Sequence, residues 1–157
     1  MKFAASVMIM ISAVCAGVGV NLRLSRRTAA LDHAIALVGL IETRITYFLE
    51  PLDDLLAVLR AESPLLRNVN GANFYDVWSR AFADGGNLLK KADNRVLLRF
   101  GCGLGKSDVD GQRALCEETL SRLREHRAAA AAEKERFARL GAVLPVFVGA
   151  AVILIFV

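Results

Sequence analysis

Two kinds of apolar pattern divide the chain. Phe3 to Val20 and Leu140 to Val157 are unbroken, and neither holds a charged residue. Between them apolar residues recur three and four apart, the period of a helix with one buried stripe. Each end run is 18 residues long, about 27 Å as a helix, which just spans a hydrocarbon core. The pattern therefore predicts an all-α protein: a membrane helix over 1–21, a helical bundle over 22–139 and a second membrane helix over 140–157.

Within the bundle the stripes are distinct. Ala30, Leu31, Ala34, Leu37, Val38, Ile41, Ile45 and Phe48 predict one long helix from Leu24 to Leu49, with Arg26, Arg27, Asp32, Glu42 and Arg44 mostly off the stripe. Pro51 stops it, because a residue before proline avoids the helical region. Pro51 then opens a short helix, Leu52 to Ala61, with Leu52, Leu55, Leu56 and Leu59 inward. Ser63-Pro64 repeats the start signal, and Asn68, Asn70, Gly71 and Asn73 mark a loop. Phe74 to Ala83 predicts a helix with Phe74, Val77, Trp78 and Phe82 on its core face. Asp84 to Asn87 is a turn, after which Leu88 and Leu89 tuck in and Asp93 caps the next helix. A last helix, Asp108 to Arg139, packs Leu115, Leu120 and Leu123. Its Ala128 to Ala132 run has high helix propensity and little to pack. The charged segment before the second uncharged run reads as a stalk.

The stretch Gly101 to Gln112 joins the last two helices. Gly105 has no Cβ and can take the left-handed conformation that ends a helix. Ser107 or Asp108 then accepts from orphan N–H groups of the next helix, and Ser107-x-x-Asp110 matches a capping-box pattern with a short third member. Gly101-x-x-x-Gly105-Lys106-Ser107 also resembles a phosphate loop. Its spacing fails, since the motif needs four residues between the glycines and Phe100 stands where the first should be. No β-branched run precedes it. Nucleotide binding by Gly101 to Ser107 is thus the alternative to a structural turn.

Composition agrees with the membrane reading. The chain is 55 % hydrophobic, with mean hydropathy +0.42. Of its charged residues only Lys2 lies outside 21–139. The N-terminal run could be a cleaved signal, with Val14-Cys15-Ala16 as a loose cleavage site. Arg23, Arg26 and Arg27 follow it as a retention flank, which favours an anchor. Lys134, Arg136 and Arg139 precede the second run. This asymmetry places the middle region in the cytoplasm and both termini across the membrane.

No catalytic set emerges. Exposed carboxylates alternate with basic residues at helical pairing distance. Cys15, Cys102 and Cys116 form no C-x-x-C pair, and Cys102 and Cys116 are expected to face each other as small hydrophobes. His33 and His126 have no ligand-like neighbours, so neither a metal nor another cofactor is expected.

The chain resembles the stage III sporulation protein AB family. The likeness rests on the order of uncharged run, helical middle and uncharged run, and on Ile41-Glu42-x-x-Ile45-x-Tyr47-x-x-x-Pro51-Leu52. It also rests on Leu104-Gly105-x-Ser107-Asp108-x-x-x-Gln112, and on Glu133-Lys134-Glu135 before a second run containing Gly141 and Gly149. Arg44 stands where the family usually has an acid, and Glu50 where a threonine commonly precedes the proline. The resemblance implies a protein of the mother-cell membrane around the forespore, without enzymatic activity. Its bundle would be similar to the platform protein of type II secretion. It implies a place in a transenvelope channel complex, with a secretion-type ATPase and other membrane subunits as partners, the lipid bilayer as its setting and no nucleic acid. Gly105, Ser107, Asp108 and Gln112 would form the family's structural turn, and Glu42, Arg44, Tyr47 and Pro51 a partner surface.

Overall fold

A computed structural model describes the backbone of residues 2–48, 51–83 and 88–156, and the side chains of 19–48, 51–52, 54–83 and 88–139. Among these residues the chain is helical, with no strand. The elements are α1 (Lys2–Thr43), a π-helical turn (Arg44–Phe48), α2 (Leu52–Glu62), α3 (Phe74–Ala83), α4 (Lys91–Gly103) and α5 (Val109–Phe156). They form two compact units, Arg27–Ala128 and the chain ends Met1–Arg26 with Ala129–Val157. In the unit of the ends, Leu24 and Ala130 are buried. Among the described residues no helix is long and apolar enough to cross a membrane. The side chains of both uncharged runs, Cys15 among them, lie outside the described residues, as do the expected Asp84 to Asn87 turn and Glu50.

The core of the central unit is built on α3. Phe74, Val77, Trp78 and Phe82 are buried as their spacing predicts. Trp78 stacks on Phe74 at 5.3 Å between ring centroids and meets Phe82 at 4.9 Å and Phe100 of α4 at 5.7 Å. Such tilted and offset pairs each contribute about 0.5–1.5 kcal/mol beyond area burial. The indole Nε1–H donates to the Leu97 carbonyl at 2.7 Å, so the one polar atom of the ring is satisfied inside the core. Asn73 starts α3 by accepting the Asp76 N–H at 2.9 Å through Oδ1.

Several expectations are corrected by packing. α1 buries Ala30, Leu31, Ala34, Leu37, Val38 and Ile41, but Phe48 is exposed. The π turn between them bonds i to i+5 and so inserts one residue into the helical count, which rotates Phe48 off the stripe. Arg27 lies on the stripe rather than off it, four residues before Leu31, and is buried. Ser63-Pro64 starts a run of turns rather than a helix. The Ser63 carbonyl accepts the N–H groups of Leu66 and Arg67 and its hydroxyl that of Leu65, which closes the segment on itself. Leu89 is buried, whereas Leu88 is exposed. Cys102 and Cys116 do not face each other: Cys116 is buried, while Cys102 is exposed beside the Tyr75 hydroxyl at 3.3 Å. That hydrogen bond and the sulfur's charge raise the Tyr75 phenol above its ordinary value. Within the all-Ala segment, Ala130 is fully buried, so a residue with no rotamer entropy there also allows close packing.

Candidate functional site

The turn between α4 and α5 gathers the four residues of the Gly105 to Gln112 motif. α4 ends at Gly103 and is capped by Leu104, whose N–H still donates to the Phe100 carbonyl at 3.1 Å. Gly105 follows at φ +76°, the left-handed region that a Cβ disfavours. Asp108 caps α5: its Oδ1 accepts the Gly111 N–H at 3.1 Å. Ser107 does not cap, and Asp110 takes no part in the turn's hydrogen bonds, because the Ser107 hydroxyl is held by Gln112. The Gln112 side chain is buried in the turn. Its Nε2 donates to Ser107 Oγ at 2.8 Å, and its Oε1 accepts the Gly105 N–H at 3.2 Å. One amide thus ties the left-handed residue to the first turn of the next helix.

Gly111 belongs to the same device. A Cβ there would stand 2.8 Å from Ser107 Cβ and 2.9 Å from Asp108 Oδ1. Glycine in the first turns of a helix is costly without such a reason, about 1 kcal/mol against alanine, and that cost is the sequence signal for it.

The two resembling stretches meet here. A Cβ on Gly105 would lie 3.2 Å from Leu52 Cδ1, so the Pro51-Leu52 corner rests against the turn. Around that corner Tyr47 is 78 % exposed and Phe48 59 %. Pro51 is exposed, and Arg44 is half-buried with its guanidinium 5.1 Å from the Phe48 ring centroid. Glu42 is half-buried on the last turn of α1. Burial first, then the charges of Glu42 and Glu117, push the Cys116 thiol up to about 12. At neutral pH that sulfur is a thiol, which is a poor nucleophile.

The turn offers no phosphate cradle. Gly101 and Gly103 are residues of α4, not of a loop, and their role is close packing: a Cβ on Gly101 would meet the Trp78 indole, and one on Gly103 would meet Leu115. The Gly105 N–H is taken by Gln112 and the Lys106 N–H by the Gly103 carbonyl at 3.3 Å. A phosphate loop needs such N–H groups directed at the ligand. Among the described residues no group of three or more His, Cys, Asp or Glu is placed to hold a metal ion.

A second polar centre escapes sequence reasoning. Asp93 is fully buried in the first turn of α4. It accepts from Arg27 Nε at 3.2 Å and Nη2 at 3.3 Å, and from the Lys90 N–H at 2.9 Å. His126 Nδ1 of α5 lies 2.8 Å from its Oδ1. Burial alone would raise the Asp93 carboxyl, but Arg27, the Lys90 N–H and His126 outweigh it and hold the group below its ordinary range. Asp93 does cap the helix, from inside its first turn, by taking the N–H of the residue before it. Its partners lie 66 and 33 residues away, so no local pattern reports them.

No curated protein and no solved structure matches the chain. The sequence model of stage III sporulation protein AB matches residues 2–157. With both motif stretches meeting at one corner and the match running over nearly the whole length, the chain belongs to the stage III sporulation protein AB family.

Proposed function

We propose that the protein is a membrane-anchored platform of a sporulation transenvelope channel complex, and that its central unit docks a secretion-type ATPase on the mother-cell side. Family membership supplies the sporulation setting. The observation that carries the docking role is the exposure of Tyr47, Phe48 and Pro51 in the stretch that leads to Leu52, the residue that rests against Gly105. Aromatic side chains, tyrosine among them, are enriched among the residues that dominate protein interfaces. The uncharged runs Phe3 to Val20 and Leu140 to Val157 serve as the anchors, with the basic flanks setting the central unit in the cytoplasm. Hydrogen bonding within the turn favours this reading over nucleotide binding by Gly101 to Ser107.

Tyr47→Ala with Phe48→Ala is expected to weaken capture of the complex's ATPase by tenfold or more, about 1.4 kcal/mol, without lowering the thermal midpoint. Undiminished capture by this folded variant refutes the docking surface. For the orientation, an impermeant thiol reagent should fail to label Asn73→Cys in intact cells and label it after lysis, with Cys15 and Cys102 replaced. Labelling before lysis refutes a cytoplasmic central unit.

A further inference from the structure

Within the central unit an open cleft of about 250 Å3, solvent included, lies between α4 and α5. Its lining divides by exposure. Phe100 and Thr119 are buried, and Val96 and Leu115 half-buried, so these four make an apolar floor. The floor is well supported. Phe100 packs on Trp78, and Leu115 sits so close to α4 that a Cβ on Gly103 would stand 2.8 Å from its Cδ2. Thr119 donates its hydroxyl to the Leu115 carbonyl at 2.8 Å, so that hydroxyl asks nothing of an occupant.

The rim is charged. On α5, Glu118 and Arg122 pair with each other at 2.8 Å. On α4, Arg99 has no ion pair among the described residues. It closes a row of exposed cations, Lys91, Arg95 and Arg99, each four residues after the last. Like charges at that spacing repel along a helix. The one acid of α4, Asp93, is buried and committed to Arg27, so the helix supplies nothing to offset the row. Size bears on what fits. Small-molecule sites run to about 300–1,000 Å3, whereas a groove with an apolar floor accepts side chains from a peptide segment laid along it.

We propose that the α4–α5 cleft docks an acidic segment of another protein, which sets an apolar side chain on the floor and carboxylates against Arg99 and Arg95. Charge complementarity selects this occupant. A carboxylate relieves the repulsion along α4, and a basic segment adds to it. The cleft shares no residue with the corner of Tyr47 and Phe48, and docking here does not depend on that corner's role.

The test selects a displayed library of random short peptides on the full chain in detergent, then measures the enriched peptides by fluorescence anisotropy. Enriched peptides are expected to combine leucine, isoleucine or phenylalanine with aspartate or glutamate. Arg99→Glu should weaken their binding by about tenfold or more at an unchanged thermal midpoint. Val96→Phe, which fills the cleft from its own wall, should weaken it several-fold. Arg67→Glu, the reversal of an exposed arginine outside the lining, should leave binding intact, as should Tyr47→Ala with Phe48→Ala. No enrichment, an enriched set without acids, undiminished binding to the Arg99→Glu chain, or equal weakening by Arg67→Glu overturns the proposal. Light scattering on the same samples covers the remaining occupant: dimerisation of the native chain that Arg99→Glu abolishes gives the cleft to a second copy and overturns it as well.

Discussion

The two ends of α4 are fastened by different means. At its end, Gln112 fastens a turn whose members all lie between Gly103 and Gln112. At its start, Asp93 joins α1, α4 and α5 through partners 66 and 33 residues distant. Both centres satisfy polar groups that would otherwise be costly to bury. The first fixes a local conformation and needs little from the rest of the fold. The second exists only when three helices are already assembled, so it reports tertiary structure and depends on it. The difference teaches where each kind of damage is felt: a lesion in the turn changes one corner, and a lesion at Asp93 loosens the packing of the unit.

The comparison breaks most sharply at Asp93. Asp93→Ala leaves the buried Arg27 guanidinium uncompensated, and unfolding of the full chain in detergent should show a loss of about 3–5 kcal/mol. The double variant Asp93→Ala with Arg27→Met should recover much of that loss, because it removes the buried charge as well as its partner. A single variant as stable as the native chain contradicts a buried pair. The same carboxylate sets an acid limb. Its folded value is depressed, so its contribution is complete above the ordinary value of 3.8 and is lost as pH falls through the folded value below it. Asp93→Asn should flatten the stability profile in that range.

The turn is expected to respond less. Gln112→Ala removes the partners of Ser107 and of the Gly105 N–H and should cost about 1–3 kcal/mol. Gly105→Val, a β-branched residue at positive φ, should cost at least about 1 kcal/mol. Calorimetry of each variant checks these values, and a change in either equal to that of Asp93→Ala would erase the distinction between the two ends. Lys106→Ala is the smallest case. The side chain is exposed on the turn, and stability should move by no more than about 0.5 kcal/mol. Sporulation should also stay normal in that strain. A folded, abundant Lys106→Ala protein that blocks sporulation would bring phosphate binding back.

Legibility in the sequence follows the same division. α3 is readable to its end residues, because a tryptophan and two phenylalanines at helical spacing leave one way to bury them. The left-handed Gly105 and the Asp108 cap are readable, since each acts within a few residues of itself. Gln112 is readable as part of a motif, but its task is not: nothing local says that its amide bonds backward across the turn. Arg27 reads as surface because an arginine is rarely buried unless paired, and its pair is on another helix. Cys102 and Cys116 are plausible neighbours by hairpin geometry, yet helical phase sends one outward to Tyr75 and the other inward beside Glu42. Leu88 reads as core on hydrophobicity alone, although apolar residues also stand at surfaces.

The π turn at Arg44–Phe48 has a consequence for how this surface is inherited. Phe48 is outside because of the number of residues before it and not because of their chemistry. A family can therefore gain or lose this aromatic face by a one-residue insertion or deletion, with every flanking residue unchanged. Relatives that share Ile45, Tyr47 and Phe48 by identity present different faces if their spacing to Ile41 differs. The trait is carried by spacing, and a column-by-column count of identities passes over it.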